Sequence, residues 1–268
     1  MDIGDRMKLY EGMETERTLM PGLPVCIRLD GRAFHTFTKG LQQPYDDRFR
    51  DLMVDTTRAL VNETGASVGY TQSDEITLIL WSDERDSQPY FKGRIQKINS
   101  MLASFCSVTF NRLVPKYLPE KASTMPLFDC RVWNVPSLEE AANVVLWREL
   151  DATKNSVSSA AQSMFSHKRL HGLDSSQMQE LMFSEKGVNW NDYPAKFKRG
   201  VYVARQVVEK PFTTAELDSL PPKHAGRLNP DLKVKRAVVA ILDLPPLMSV
   251  ANRVSVLFHG EAVEKRIT

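Results

Sequence analysis

The sequence predicts an α+β protein in which amphipathic helices cover one antiparallel sheet. Three observations favour this class. Apolar β-like runs alternate with helical patterns along the first half of the chain, two of the β-like runs are joined by a short turn, and 42% of the 268 residues are hydrophobic. That hydrophobic content is enough to bury a substantial core in one large domain or two small ones.

The first strand and the first long helix are the clearest elements. A strand is predicted at PVCIRL, Pro24 to Leu29, and it is followed by Asp30-Gly31. A helix is predicted from Asp46 to about Asn62, because its apolar residues recur at spacings of three and four. Asp46 can cap the start of this helix, and Thr64-Gly65 predicts its end.

A hairpin and a second helix complete the predicted sheet. The β-like runs Ser67 to Thr71 and Ile76 to Trp81 are separated by Gln72-Ser73-Asp74-Glu75, which favours an antiparallel hairpin. A second amphipathic helix is predicted from Tyr90 to about Arg112, and a fourth strand from Phe128 to Val135. The resulting βαββαβ order is typical of a ferredoxin-like sheet, which also forms the palm of many polymerases and cyclases.

The second half of the chain has a different pattern. Helices are predicted at Leu138 to Phe165 and Ser175 to Glu185, whereas Lys210 to Pro230 is rich in proline and lysine, and Arg236 to Leu242 predicts another strand. We therefore predict a palm-like core at residues 1–137. Residues 138–268 are expected to form appended helices and a C-terminal arm that pack with the core as one body.

Composition excludes several classes of protein. Lys plus Arg number 35 and Asp plus Glu 33, so a net charge of +2 argues against a simple polycationic nucleic-acid binder but leaves room for a local basic patch. The three cysteines form no CxxC motif, so we expect reduced core thiols and not a disulfide framework or zinc site. With no signal peptide or transmembrane-length apolar run, we expect a cytoplasmic protein without membrane contact.

Three acidic residues form a candidate metal site. Asp30 follows the first strand, and Asp74 and Glu75 lie at the tip of the predicted hairpin. In a βαββ sheet the first strand lies beside one hairpin strand, so these carboxylates can converge. Mg²⁺ prefers such oxygen ligands, and two ions can activate a hydroxyl and stabilise a leaving group. The simpler interpretation is a turn at Asp30-Gly31 and a solvated loop at the hairpin tip.

Five segments resemble the tRNA-His guanylyltransferase family. They are IRLDGRAFHTF (Ile27 to Phe37), YTQSDE (Tyr70 to Glu75), KGRIQKINSMLASF (Lys92 to Phe105), FDCRV (Phe128 to Val132) and YPAKFKRG (Tyr193 to Gly200). The similarity extends from Met7 to about Arg205. The two acidic motifs are specific for the family when both occur at this spacing, with the downstream segments in order.

The resemblance implies an enzyme that adds nucleotides to the 5′ end of tRNA, in the 3′-to-5′ direction. A 5′-monophosphate is activated with ATP, and the 3′-hydroxyl of GTP or another nucleotide then attacks the activated phosphate. The resemblance assigns catalysis to Asp30, Asp74 and Glu75. Two Mg²⁺ ions are assigned to Asp30, the backbone carbonyl of Gly31, and Asp74. It also implies a homotetramer.

Further residues receive binding roles from the same resemblance. The residues assigned to nucleotide binding are Arg32, Ala33, Phe34, His35, Ser73, Arg94, Lys97 and Asn155. The residues assigned to tRNA are Lys154, Lys198 and Arg199. Arginine and lysine suit these roles because they bring charge and several donors to phosphate oxygens. Without the resemblance, the simpler interpretation of Arg94 and Lys97 is an ordinary solvated helix face.

Two departures from the family pattern narrow the prediction. Thr153 stands where the eukaryotic enzymes carry a histidine that recognises the tRNA-His anticodon. Gln43 precedes Pro44 in the loop ahead of the first long helix, where the family often has a lysine. The segment LDATKNSVSS instead resembles the tRNA-His guanylyltransferase-like proteins of bacteria, archaea and phages, which implies template-dependent repair of 5′-truncated tRNA. The alternatives are a palm-type nucleotidyl cyclase and a non-catalytic tRNA-binding protein.

Overall fold

The computed structural model describes residues 1–82, 89–229 and 231–266. Within these residues one six-stranded sheet has the order β4-β1-β3-β2-β5-β6, and every pairing is antiparallel. The strands are β1 Val25–Gly31, β2 Val68–Gln72, β3 Glu75–Leu80, β4 Phe128–Asn134, β5 Val201–Pro211 and β6 Lys233–Leu242. The first four strands have the order 4-1-3-2, which confirms the predicted ferredoxin-like βαββαβ arrangement.

Helices connect and cover these strands. In the first half they are α1 Ile3–Thr15, α2 Phe34–Phe37, α3 Asp47–Thr64 and α4 Ile95–Tyr117. In the second half they are α5 Leu138–Gln162, α6 His167–Leu170, α7 Ser175–Lys186, α8 Ala195–Arg199, α9 Thr214–Ser219, α10 Ala225–Leu228 and α11 Arg253–His259. No helix in the described part of the chain has the length and apolar character needed to cross a membrane.

The two faces of the sheet are buried by different helices. Ile76 and Leu78 of β3 point to one face, where they share a core with α3 and α4, whereas Ile79 points to the other face and packs with α5. This alternation follows from the period of two in a strand. Glu75 therefore faces α5, as Ile79 does. On β1, Asp30 faces α5 because it lies at an even spacing from Cys26, which packs on that side.

Several predicted boundaries are confirmed. The side chain of Asp46 accepts a hydrogen bond from the amide of Arg48 at the start of α3, and Gly65 ends the helix at a φ of 70°. The second long helix begins later than predicted, at Ile95 instead of Tyr90. Phe91 and Lys92 have positive φ values of 47° and 55°, which an α-helix does not accommodate.

Residues 138–268 contain more sheet than predicted. The strand predicted at Arg236 to Leu242 is confirmed by β6, but β5 was missed, and β5 pairs with β2 so that the sheet runs across residue 137. Beyond Ala204, β5 pairs only with β6 and carries the exposed polar residues Arg205 and Gln206. A strand in a two-stranded ribbon lacks the buried face that produces a clear apolar alternation.

Candidate active site

The carboxylates of the predicted site meet at one end of the sheet. Asp30 lies directly opposite Glu75 in the β1–β3 register, and the amide of Gly31 donates to the backbone carbonyl of Asp74 at 3.1 Å. Ser73 and Asp74 form a tight turn between β2 and β3, since Gln72 pairs with Glu75. The structure therefore brings the two acidic motifs together, as the hairpin pattern predicted.

Burial and a neighbouring charge destabilise the ionised form of Asp74. Desolvation raises the pKa of its carboxyl group, and the charge of Asp30 raises this pKa further. The backbone amide of Asp74 and the Ser73 side chain act in the opposite direction, because hydrogen bonds to a carboxylate favour ionisation. Two close carboxylates that repel each other form a natural site for a cation.

Asp30 is the more accessible of the two carboxylates. Its side chain is 40% exposed, and a carboxylate oxygen lies 3.9 Å from Nη2 of Arg131, which is closer to Asp129, at 3.4 Å. An exposed ion pair at such a distance contributes little. The Asp30 carboxylate is therefore free to bind a ligand or a metal ion.

Glycine is required at position 31 because a side chain there would meet an aromatic ring. A Cβ atom at this position would lie 2.6 and 2.7 Å from Cε2 and Cγ of Phe34, shorter than real contacts allow. The Phe34 ring cannot move aside easily, because it is 3% exposed and its centroid lies 5.0 Å from Phe128 and 5.4 Å from Phe110. The predicted nucleotide contact of Phe34 can therefore involve only its backbone.

The other residues of that predicted nucleotide-binding segment are exposed. Arg32, Ala33 and His35 follow the carboxylate end of β1 directly, and Ala33 has a left-handed φ of 54° at the start of α2. The Arg32 amide donates to the carbonyl of Leu127 at 2.8 Å. These residues lie beside the carboxylates without lining the cavity described next.

A cavity of about 530 Å³ opens between the carboxylates, the start of α3, and helices α5 and α8. This volume is within the range of small-ligand sites. Its lining includes three predicted residues besides Asp30 and Glu75, namely Ser73, Asp74 and Asn155. Sequence reasoning missed most of the remaining lining. Those missed residues include Tyr45, Phe49, Arg50, Arg148, Lys196 and Phe197.

Arg148 of α5 makes the main side-chain contact to Glu75. Its Nε donates to Oε1 at 2.6 Å and its Nη2 donates to Oε2 at 2.7 Å. Burial raises the pKa of Glu75, while the Arg148 guanidinium acts in the opposite direction. A sequence signal for Arg148 did exist, because it lies one helical turn before Asp151 on the helix face shared by Asp151, Lys154 and Asn155.

Aromatic side chains form the wall furthest along α5 from Arg148. The rings of Tyr45 and Phe197 are stacked with centroids 4.8 Å apart, and Ser159 of α5 donates to the carbonyl of Pro44 at 3.0 Å. Ser159 lies eleven residues beyond Arg148, so this wall is about 16 Å from the Glu75 contact along the helix axis. The cavity thus has an acidic end and an aromatic end.

Arg94 and Lys97 lie at the opposite end of the sheet from the carboxylates. The carbonyl of Gly93 accepts from the amide of Leu19 at 2.9 Å, and the next residue, Met20, donates to the side chain of Asn134 at the end of β4. Because β4 starts opposite Gly31, its last residue is far from Asp30. The structure therefore does not bring Arg94 and Lys97 into this cavity within one chain.

The predicted tRNA-binding residues have different surroundings. Lys154 is exposed on α5. Nζ of Lys198 donates to the carbonyl of Asn191 and lies 5.1 Å from the Trp190 ring, and burial lowers the pKa of this lysine. The backbone carbonyl of Arg199 accepts from the hydroxyl of Tyr70 at 2.8 Å. Lys154 is the most available of the three for a partner.

The donor set at the acidic end suits magnesium better than a transition metal. Across the described residues, no group of three or more His, Cys, Asp and Glu side chains is arranged to hold a metal. Mg²⁺ commonly uses only one or two protein carboxylates and completes its shell with phosphates and water. Asp30 and Asp74 fit that requirement.

A family model and a curated relative both match this chain to the same family. The model of the family described as tRNAHis guanylyltransferase (Thg1) matches residues 4–136. The tRNA(His) guanylyltransferase of Saccharomyces cerevisiae is 29% identical over 210 residues, which cover 72% of this chain and 87% of the yeast protein.

Solved structures show the same relationship. A bacterial tRNA(His) guanylyltransferase (Thg1)-like protein in complex with ATP is 38% identical, with a TM-score of 0.72, over 76% of this chain and 87% of the other. A bacterial Thg1-like protein in complex with GTP is 30% identical, with a TM-score of 0.71, over 92% and 94%. The chain therefore belongs to the tRNA-His guanylyltransferase family of nucleotidyltransferases.

Proposed function

We propose that this protein is a template-dependent 3′-5′ nucleotidyltransferase that repairs the 5′ end of tRNA, with G addition at position −1 of tRNA-His as a related reaction. The observation that carries the proposal is the meeting of Asp30 and Asp74 at one end of a cavity large enough for a nucleotide. ATP and GTP or other nucleoside triphosphates are the proposed small substrates, and tRNA is the macromolecular one.

Asp30, Asp74 and the backbone carbonyl of Gly31 would hold two Mg²⁺ ions. When bound, the metal lowers the pKa of the attacking 3′-hydroxyl and neutralises triphosphate charge. The repulsion between Asp30 and Asp74 supports this assignment, since a cation between them would relieve it. Little covalent chemistry is left to the protein, so positioning of the two substrates dominates catalysis.

Phosphate binding divides between the cavity and its surroundings. Ser73 is at the hairpin tip beside Asp74, where its hydroxyl can turn from the Asp74 carboxylate to a phosphate oxygen. Lys196, an exposed residue of α8, lines the same cavity. The roles proposed for Arg94 and Lys97 require a triphosphate bound outside this cavity, or a site on another subunit of the proposed homotetramer.

Template pairing is proposed to select the nucleotide. The hydroxyl of Thr153 donates to the backbone carbonyl of Glu149 at 2.9 Å, so this side chain is bound to its own helix. It therefore offers no equivalent of an imidazole that reads an anticodon. Lys154 and Asn155 on the exposed side of α5, with Lys198 and Arg199 near α8, are the proposed contacts to nucleotide or tRNA.

The proposal is tested by incubating the protein with Mg²⁺, ATP and labelled GTP, with and without a 5′-truncated tRNA whose next template base is cytosine. We expect the label to be incorporated into the tRNA in the complete reaction. We expect no labelled product when tRNA is left out or when the metal is chelated. A cyclic nucleotide formed without tRNA would identify a cyclase. Binding of tRNA without addition at any metal concentration would identify a non-catalytic binding protein. Either outcome contradicts the proposal.

A further inference from the structure

The carboxylate of Glu75 is neutralised within the protein. Both of its oxygens accept hydrogen bonds from the single guanidinium of Arg148, at 2.6 and 2.7 Å. The two side chains are only 13% and 10% exposed, respectively. Such a two-point contact fixes the carboxylate plane as well as its charge. Because both oxygens of Glu75 already accept hydrogen bonds from a cation, this carboxylate is poorly suited to bind a metal ion.

Arg148 is itself held from two further sides. Its Nη2 also donates to Asp151 at 2.9 Å, and its guanidinium lies 4.5 Å from the ring centroid of Trp147. Asp151 in turn accepts from the side-chain amide of Asn155 at 3.2 Å. A continuous polar network therefore joins the start of β3 to the exposed side of α5, where Asn155 lines the cavity.

The position of Glu75 in the chain connects this polar network to Asp30 and Asp74. Glu75 directly follows Asp74 and lies opposite Asp30 in the register of β1 and β3. Asp74 sits in a tight turn after Ser73, whose φ is 51°, and its backbone carbonyl accepts from the amide of Gly31 at 3.1 Å. Anchoring Glu75 to α5 therefore anchors the start of β3, which directly follows Asp74 and pairs with Asp30 of β1.

We infer that Arg148 is a positioning residue that acts through Glu75 to hold Asp30 and Asp74 in the geometry that binds Mg²⁺. Glu75 is then required for activity without touching metal or substrate. This inference rests on the proposed function, because the metal site belongs to it. It reassigns Glu75 from a catalytic residue to the partner of a residue in the other half of the chain.

The test compares Arg148→Lys, Glu75→Gln and the double variant. Lys keeps the charge of Arg148 but not its two-point contact, and Gln keeps the shape of Glu75 but not its charge, so each variant weakens the contact while the buried site stays filled. Two quantities are measured for each protein: the rate of nucleotide addition at saturating substrate, and the affinity for Mn²⁺ with a non-reactive nucleotide analogue, by electron paramagnetic resonance. Melting temperatures and circular dichroism report whether each variant is folded.

We expect each single variant to lose about 10–100-fold in addition rate and in Mn²⁺ affinity, the range found when an outer partner of a metal site is changed. The loss of addition rate and of Mn²⁺ affinity in the double variant should not exceed the loss in the more strongly affected single variant, because both changes break the same contact. The matched control is the exposed pair Arg169–Glu185. Arg169→Lys with Glu185→Gln should change neither quantity.

Three results would overturn the inference. One is a loss in Glu75→Gln that far exceeds the loss in Arg148→Lys, with additive losses in the double variant, because Glu75 would then act directly. The second is unchanged Mn²⁺ affinity in both folded single variants. The third is an equal loss in the control pair. Because Mn²⁺ binding needs no turnover, these results are distinct from a failure of the wild-type protein to add nucleotides.

Discussion

Replacing Gly31 by alanine probes how tightly the metal-binding end of β1 is packed. The new Cβ would lie 2.6 Å from a carbon of the Phe34 ring, whereas ordinary contacts begin at 3.4 Å, so the strand or the ring must shift. The shift needed exceeds about 0.8 Å, the difference between these two distances, because Cδ2 of the ring would lie nearer still. The strand is expected to share it, because the Phe34 ring is enclosed by Phe128 and Phe110. Overpacking of this kind costs about 1–3 kcal/mol.

That cost is smaller than the roughly 5–15 kcal/mol by which domains are stable, so the variant should fold. Asp30 precedes the shifted residue, and a misplacement near 1 Å lowers catalysis by about a hundredfold. Urea unfolding and a single-turnover addition assay measure the two effects. Gly69→Ala is the matched control. Its new Cβ would lie 2.7 Å from Cγ2 of Val61, at a position remote from the carboxylates. It should lose stability but keep its addition rate. Wild-type addition by Gly31→Ala, or an equal loss in Gly69→Ala, would refute the reasoning.

Three other substitutions give distinct expectations. Asp74→Asn removes a proposed metal ligand, so the rate of addition should fall by more than about a hundredfold. It also removes the repulsion with Asp30, so the melting temperature should be unchanged or higher. A variant that adds nucleotides and melts at a lower temperature would contradict this. Tyr70→Phe removes the partly buried hydrogen bond to the Arg199 carbonyl and should cost about 1 kcal/mol in urea unfolding. An unchanged free energy of unfolding would contradict this. Burial raises the pKa of Glu149 above its ordinary 4.5, so the stability that this carboxyl contributes is present below 4.5 and is lost as pH rises through the folded-state pKa. The stability of Glu149→Gln relative to wild type should therefore increase with pH, and a difference independent of pH would contradict this.

Local patterns predicted the parts of the site that lie on neighbouring segments. Asp74 and Glu75 were placed by a short turn between two β-like runs, and Asp30 by the end of an apolar strand. Since β1 and β3 are adjacent in a βαββ sheet, these residues converge by topology alone. Helix α3 was equally predictable, because Asp46 and Gly65 mark its ends by well-defined capping interactions.

Contacts between distant segments were not predictable. Arg148 meets Glu75 across 73 residues of sequence, and no local pattern indicates which carboxylate a helical arginine will bind. Strand β5 was missed because more than half of its length lies in a two-stranded ribbon with exposed polar residues. Phe34 was assigned to nucleotide from its segment, yet the need to cover Gly31 and Phe128 places its ring in the core.

In the proposed function, Asp30 and Asp74 catalyse addition to a tRNA 5′ end under the direction of a template base. The most direct test is to sequence the 5′ ends formed when one 5′-truncated tRNA is prepared with each of the four bases at the templating position. All four nucleoside triphosphates and Mg²⁺ are present in each reaction. We predict that the added nucleotide changes each time to the Watson–Crick complement of that base. Addition of guanosine opposite every template base, or of no nucleotide, would contradict it.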